Sequence, residues 1–365
     1  MAMPRLSNAR GLIACAVLLG LGAGAAPALA WEWNDLRLRG RLQGRYEAFD
    51  RRVEEELGRA YVLEGWGHHL DLRRARLDAR WTPFAWLRLE LETELAGGDL
   101  ELRDVFAELT PHEAARLTVG NFKKPFSRLG MDAAFELPVP ERGLLHEYAV
   151  GGSAYGGFGG RDLGVMLSGK VALPAKLKLR YYLGVWNSAG ELLDDGPPQH
   201  DYVARLQLKV WKGLVIGLGA CHKVFELGEL DGLQRTTNAF GGDIRFRRGD
   251  LWLQLEVSYG DRVDSGPGHR FLGGHLLGSY RVELGGDWAL EPAAMLEVVD
   301  LDDQVEDDPR VRLSGQLNLH FTRHVRLGLY ADGAFSQPRA YDPGQLAAVQ
   351  LAWPLRVGLE LRVGI

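Results

Sequence analysis

Apolar residues recur at every second position along most of the chain, a period that predicts β-strands. In 87–95, Leu87, Leu89, Leu91, Thr93 and Leu95 share one face, and Arg88, Glu90, Glu92 and Glu94 share the other. In 251–259, Leu251, Leu253, Leu255, Val257 and Tyr259 oppose Trp252, Gln254, Glu256 and Ser258. In 311–321, Val311, Leu313, Leu317, Leu319 and Phe321 oppose Arg312, Ser314, Gln316, Asn318 and His320. Similar faces occur near 36–48, 177–186, 202–210 and 325–332, and apolar residues at helical spacing are largely absent.

The links between these segments alternate in length. Short turns are expected at 82–84, 111–113, 174–175, 212–213, 248–250, 285–287 and 322–324. Longer polar stretches lie at 50–69, 123–160, 188–200, 226–236, 260–270, 300–309 and 336–343, with a short link near 96–99. Outer-membrane barrels sort their loops this way, and a soluble sandwich has no reason to. The fold class predicted is all-β, a transmembrane antiparallel barrel of roughly sixteen strands, the number being even by the barrel rule. In 72–77 the apolar phase changes from Leu72 to Ala75 and Leu77, which reads as a β-bulge. The last strand has two readings: one long strand to Ile365, or a strand ending at Trp353 because Pro354 interrupts its donors.

Unbroken Leu, Val and Ile stripes need a second sheet or lipid, while the charges opposite them need water. A barrel of roughly sixteen strands is wide enough to hold that water. Lipid therefore covers the outside, and Trp81, Trp86, Trp211, Trp288 and Trp353, all near the short turns, suit an interfacial aromatic girdle.

Composition adds the compartment. Arg5 and Arg10, the apolar run Leu12–Leu21 and Ala28-Leu29-Ala30 read as a cleaved signal peptide over 1–30, leaving a barrel domain over 31–365. The tetrad Leu12-Ile13-Ala14-Cys15 precedes most of the apolar run, so lipidation is rejected. Losing the two leader arginines takes the formal charge from −5 to −7, with both signs interleaved, which argues against a nucleic-acid partner. After the leader no apolar run reaches the roughly 20 residues of a membrane helix. Cys221 has no partner for a disulfide and alternates with Val215, Gly217 and Gly219 toward the lumen.

The stretch 117–171 resembles the phosphate-selective porin O and P family of bacterial outer-membrane channels. The resemblance rests on Val119-Gly120-Asn121-Phe122-Lys123-Lys124-Pro125-Phe126, on Pro140-Glu141-Arg142, and on Gly160-Arg161-Asp162-Leu163-Gly164 with the strand after it. It implies a sixteen-stranded trimeric porin with loop 123–160 folded into the pore. Lys123, Lys124, Arg128, Arg142 and Glu141 are then the constriction residues, although Asp132, Glu136, Glu141 and Glu147 balance the loop's cations. Alternation places Arg37, Arg39, Arg41, Arg45, Arg74, Arg76 and Arg80 along the lumen, facing Glu90, Glu92 and Glu94. A guanidinium ladder matches phosphate oxygens, but a mixed ladder suits a general porin. General pore lining is therefore preferred to anion preference, and anion preference to phosphate selectivity.

Other clusters carry less. The glycine pairs in 151–160 precede a strand, not the helix of a phosphate cradle. The acidic run in 300–308 lacks EF-hand spacing and reads as an outer loop meeting lipopolysaccharide. His68 and His69 lack a third metal ligand, and Ser127, Ser153 and Ser168 lack a nucleophile motif. The expectation is a non-enzymatic channel without cofactor. Its partners are outer-membrane lipid and small anions such as phosphate, and it assembles as a homotrimer. Two rivals are a non-conducting barrel serving as anchor and a secreted soluble all-β protein.

Overall fold

Alternation of side chains is realised as one closed antiparallel sheet. The computed structural model describes residues 35–50, 54–56, 59–61, 66–151, 157–188, 200–226, 234–263, 265, 267–305, 309–336 and 355–365. The expected leader and Trp353 lie outside the described residues. The first half of the sheet comprises β1 (Leu36–Asp50), β2 (Trp66–Phe84), β3 (Leu87–Glu94), β4 (Glu101–His112), β5 (Ala115–Lys123), β6 (Arg161–Ala172), β7 (Lys178–Trp186) and β8 (His200–Trp211). The second half comprises β9 (Leu214–Glu226), β10 (Gln234–Arg248), β11 (Leu251–Asp261), β12 (Arg270–Tyr280), β13 (Trp288–Asp300), β14 (Arg310–His320), β15 (Val325–Ser336) and β16 (Arg356–Gly364). Val282–Gly285 prolongs β12 along β13, so the closed barrel has 16 strands.

Each strand pairs with its neighbours in sequence, and β1 closes the ring by pairing with both β2 and β16. The reading that ended the last strand at Trp353 is thereby set aside. Strand β16 follows Pro354, and both of its edges are needed, Val363 opposite Val325 and Gly364 opposite Arg41. The short turns gather at one end, and the longer links at the other. The expected bulge is present: Gln43 faces Arg74 while Gly44 faces Leu72, so Arg73 is the extra residue. Both Arg73 and Arg74 reach the lumen as a result.

The faces separate as the pattern requires. Along β11, Leu253, Leu255, Val257 and Tyr259 are exposed on the outside, and Trp252, Gln254, Glu256 and Ser258 are buried within. Such an apolar belt is far larger than a water-facing surface tolerates and suits hydrocarbon. Trp86, Trp211 and Trp288 stand exposed near the short turns. Among the described residues no helix is long and apolar enough to cross a membrane, which says nothing about strands.

The inward face is not polar throughout. Phe271 and Leu277 on β12, Met295 and Val299 on β13, Val203 on β8 and Cys221 on β9 form apolar patches inside the barrel. Phe126, Leu129, Leu137 and Val139 from the link between β5 and β6 pack on them.

Candidate functional site

The link between β5 and β6 is the longest described departure from the sheet, and its neck is the Phe-Lys-Lys-Pro-Phe stretch. Gly120 starts the approach with φ 136°, where a Cβ would strike the Val105 carbonyl and Phe106, so this motif position needs glycine. Lys124 N–H donates to the Gly160 carbonyl at 2.9 Å, tying the two arms of the link together. Lys124 is expected to be a cationic contact of the passage. Its side chain is 4% exposed, with Nζ 2.5 Å from Asp201 Oδ2, and Lys223 donates to the same oxygen at 2.7 Å. A buried ammonium needs such a counter-ion, and Asp201 on β8 supplies it.

Beyond the neck, Ser127 caps the short helix α1 (Arg128–Met131), accepting from Gly130 N–H at 3.0 Å. The chain then meets inward-facing side chains from most of the barrel. Arg205 on β8 donates to the Phe126 carbonyl at 2.9 Å, and Glu256 on β11 accepts from Leu129 N–H at 2.9 Å. Glu297 on β13 accepts from Leu144 N–H at 3.2 Å, and Asn318 on β14 donates to the Pro138 carbonyl at 2.8 Å. Arg326 on β15 and Arg362 on β16 donate to carbonyls between Ala134 and Val139. Gly143 has φ +88° and lies so close to the Glu297 carboxylate that a side chain has no room.

Glu141 fastens the other side. It accepts from Arg73 at 2.9 and 3.2 Å and from Arg45 at 2.9 Å, with Arg74 3.6 Å away. Burial alone raises a carboxyl, but Arg73, helped by Arg74 and Arg45, outweighs it and holds Glu141 well below the usual range. Arg142 differs: it donates to the Leu129 and Asp132 carbonyls and meets no carboxylate among the described residues. Lys123 likewise donates to carbonyls, those of Gly130 at 2.6 Å and Asp132 at 3.4 Å. Arg128 pairs with Asp132 at 2.7 Å.

The lumenal arginines are interleaved with acids; they do not stand as a free ladder. Arg39 and Arg41 share Asp78, and Arg41 also pairs with Glu92. Arg76 pairs with Glu92 at 3.3 Å and Glu94 at 2.5 Å, and Arg80 with Glu90 at 3.0 Å. Arg37 is exposed near the short-turn end. Arg45 and Arg74 join Glu141, not the ladder. Arg161, from the third motif piece, holds Asp104 at 2.8 Å and Glu92 at 3.3 Å. Sequence reading missed Arg73, Asp78, Arg103, Asp104, Asp201 and Lys223. The first follows from the bulge, and the others were visible only as inward positions whose partners sit on other strands.

Between this link and strands β2 to β4 lies a cavity of about 370 Å³, lined by Arg73, Arg74, Arg76, Glu94, Arg103, Arg142 and their neighbours. Against the opposite wall, β11 to β16, the link makes the contacts described above.

A closed sixteen-stranded sheet, apolar outside and charged within, with loops sorted by length, defines a β-barrel of the outer-membrane type. Residues 37–207 match the family model Phosphate-selective porin O and P. No curated protein sequence matches the chain. Among solved structures, an anion-selective porin from Comamonas acidovorans is 12% identical with a TM-score of 0.62, covering 90% of this chain and 99% of that one. The trimer form of the in-vitro folded outer-membrane protein OmpT of Vibrio cholerae is 13% identical, TM-score 0.59, with coverage of 90% and 99%. The outer-membrane channel DcaP of Acinetobacter baumannii is 12% identical, TM-score 0.58, with coverage of 90% and 97%. At such identities the likeness is one of fold.

Proposed function

We propose that this outer-membrane channel passes small hydrophilic solutes and ions by passive diffusion, with a preference for anions, and that segment 123–160 sets its bore. One observation carries the preference. In several ion pairs along β1 to β4 the guanidinium stands nearer the solvent than its carboxylate, whereas in Arg45–Asp71 and Arg103–Glu101 the acid is the more exposed. Arg39 is 47% exposed and Asp78 2%; Arg80 is 30% and Glu90 11%; Arg88 is 31% and Glu108 13%. A passing ion therefore meets cations first, while the acids behind them keep the field moderate. That arrangement supports a general channel over a phosphate-selective one. Homotrimeric assembly, a cleaved leader and lipopolysaccharide around the long-loop end complete the reading. The protein remains a channel with no catalytic step.

The test is single-channel recording of refolded protein in a planar bilayer under a KCl gradient. Stepwise conductance with a reversal potential on the chloride side is expected. A reversal potential on the potassium side overturns the anion preference, and block by low phosphate replaces the general channel with a phosphate-selective one. Silence from demonstrably folded protein favours a non-conducting anchor.

A further inference from the structure

The 370 Å³ cavity contains two charges of opposite sign that the fold leaves poorly satisfied. Arg142 is the first. Its Nε and Nη2 meet only carbonyls, and burial together with Arg74, Arg161 and Arg76 draws it down to about 9. Glu147 is the second. Its carboxylate is 39% exposed and accepts one long contact, 3.4 Å from Arg312, whose other nitrogen holds Asp332 at 2.9 Å. The two charges do not satisfy each other. No ion pair joins them among the described residues: Arg142 donates to carbonyls and Glu147 is held only by Arg312.

Two further polar atoms on the lining are unused. Arg103 Nε and His146 Nδ1 are buried without a hydrogen-bond partner among the described residues. Arg103 otherwise holds Glu101, a 61% exposed neighbour on its own strand that a ligand can displace. A simple anion on Arg142 leaves Glu147 with only its long Arg312 contact and repels it; a simple cation on Glu147 faces Arg142. A molecule with both charges satisfies the pair. The volume corresponds to about twelve waters at roughly 30 Å³ each, enough for a solute of several heavy atoms. The cavity also borders the link 95–100 through Ala96 and Glu101, at the end where the longer loops gather.

We infer that this cavity is an entry subsite for small amphoteric solutes of the amino-carboxylate class. The solute carboxylate lies on Arg142 and Arg103, where planar guanidinium groups match its two oxygens, and the ammonium group lies on Glu147. This subsite rests on the channel reading above but is tested apart from it.

The probes are β-alanine, propionate and ethylammonium, added in turn to the long-loop side of single channels in KCl. β-Alanine is expected to interrupt the current with residence times several-fold longer than either singly charged probe. Glu147→Gln should bring β-alanine down to the residence of propionate. Arg142→Gln should bring it down to that of ethylammonium; because Arg142 also ties the link together, Arg103→Gln at the strand is the second test of that end. Equal residence for β-alanine and propionate, or no effect of Glu147→Gln, overturns the subsite. The KCl conductance and the sign of the reversal potential report the channel itself, so its failure is recognised separately.

Discussion

Glu141 concentrates three guanidinium groups on one loop carboxylate, and its loss should be felt in two readouts. Glu141→Gln leaves Arg45, Arg73 and Arg74 without their shared partner, at a cost on the order of 3 kcal/mol for breaking a buried ion pair. Urea unfolding in lipid vesicles should show that loss, and recordings should show a noisier, larger conductance as the loop loosens. The pH dependence follows from the depressed carboxyl. Its stabilisation is complete above the unfolded value of about 4.3 and declines as pH falls below it. It vanishes only below the still lower folded value. Wild-type conductance should thus stay steady from pH 7 down to about 4.3 and rise on further acidification, whereas Glu141→Gln should have no such step. Lys124 offers the contrast. Lys124→Met strands the Asp201 carboxylate beside Lys223 alone, so it should lower stability while leaving the reversal potential unchanged.

Among the elements, β2 and the β5–β6 link do most to shape the passage. The bulge at Arg73 was legible as a change of apolar phase. Its consequence, two consecutive arginines on one carboxylate, was not, because Glu141 is remote in sequence and only the loop's path brings it there. The apolar patch inside β12 and β13 had a signal that went unused: Phe271, Leu277, Met295 and Val299 occupy the phase that should hold polar residues. Hydrophobic residues facing a lumen need something to cover them, and Phe126, Phe158 and Leu129 do so. Phe126→Ala removes a fully buried ring, worth about 3–5 kcal/mol of packing. Its expected outcome is a wider open-channel conductance with the barrel still heat-resistant on gels, since strand pairing is untouched.

The barrel as a body sets the field a solute meets. Because guanidinium groups stand forward along β1 to β4 and are partly solvated, their attraction is screened by salt, with a Debye length of about 10 Å at 0.1 M and 3 Å at 1 M. Anion preference measured in the more dilute KCl should therefore exceed that in the concentrated one. Replacing Arg39, Arg80 and Arg88 together by glutamine should bring the reversal potential toward zero. On the outside, Leu255→Arg sets a charge in the apolar belt. It should cost about 2–4 kcal/mol in vesicle unfolding if the residue sits near mid-membrane.

Strand number, the sorting of loops and the apolar outer face follow from local rules. Period-two alternation and turn residues act over a few positions, so the order of residues alone specifies them. Which charges remain available depends on distances across the ring. Lys124 and Arg142 look alike as loop cations, yet one is neutralised by Asp201 on β8 and the other meets no acid among the described residues. Closure of the sheet brings β1 against β16 and the loop against both walls, and Coulomb interactions depend on that proximity in space, not on spacing along the chain. The chemistry of the passage is therefore decided by the tertiary fold.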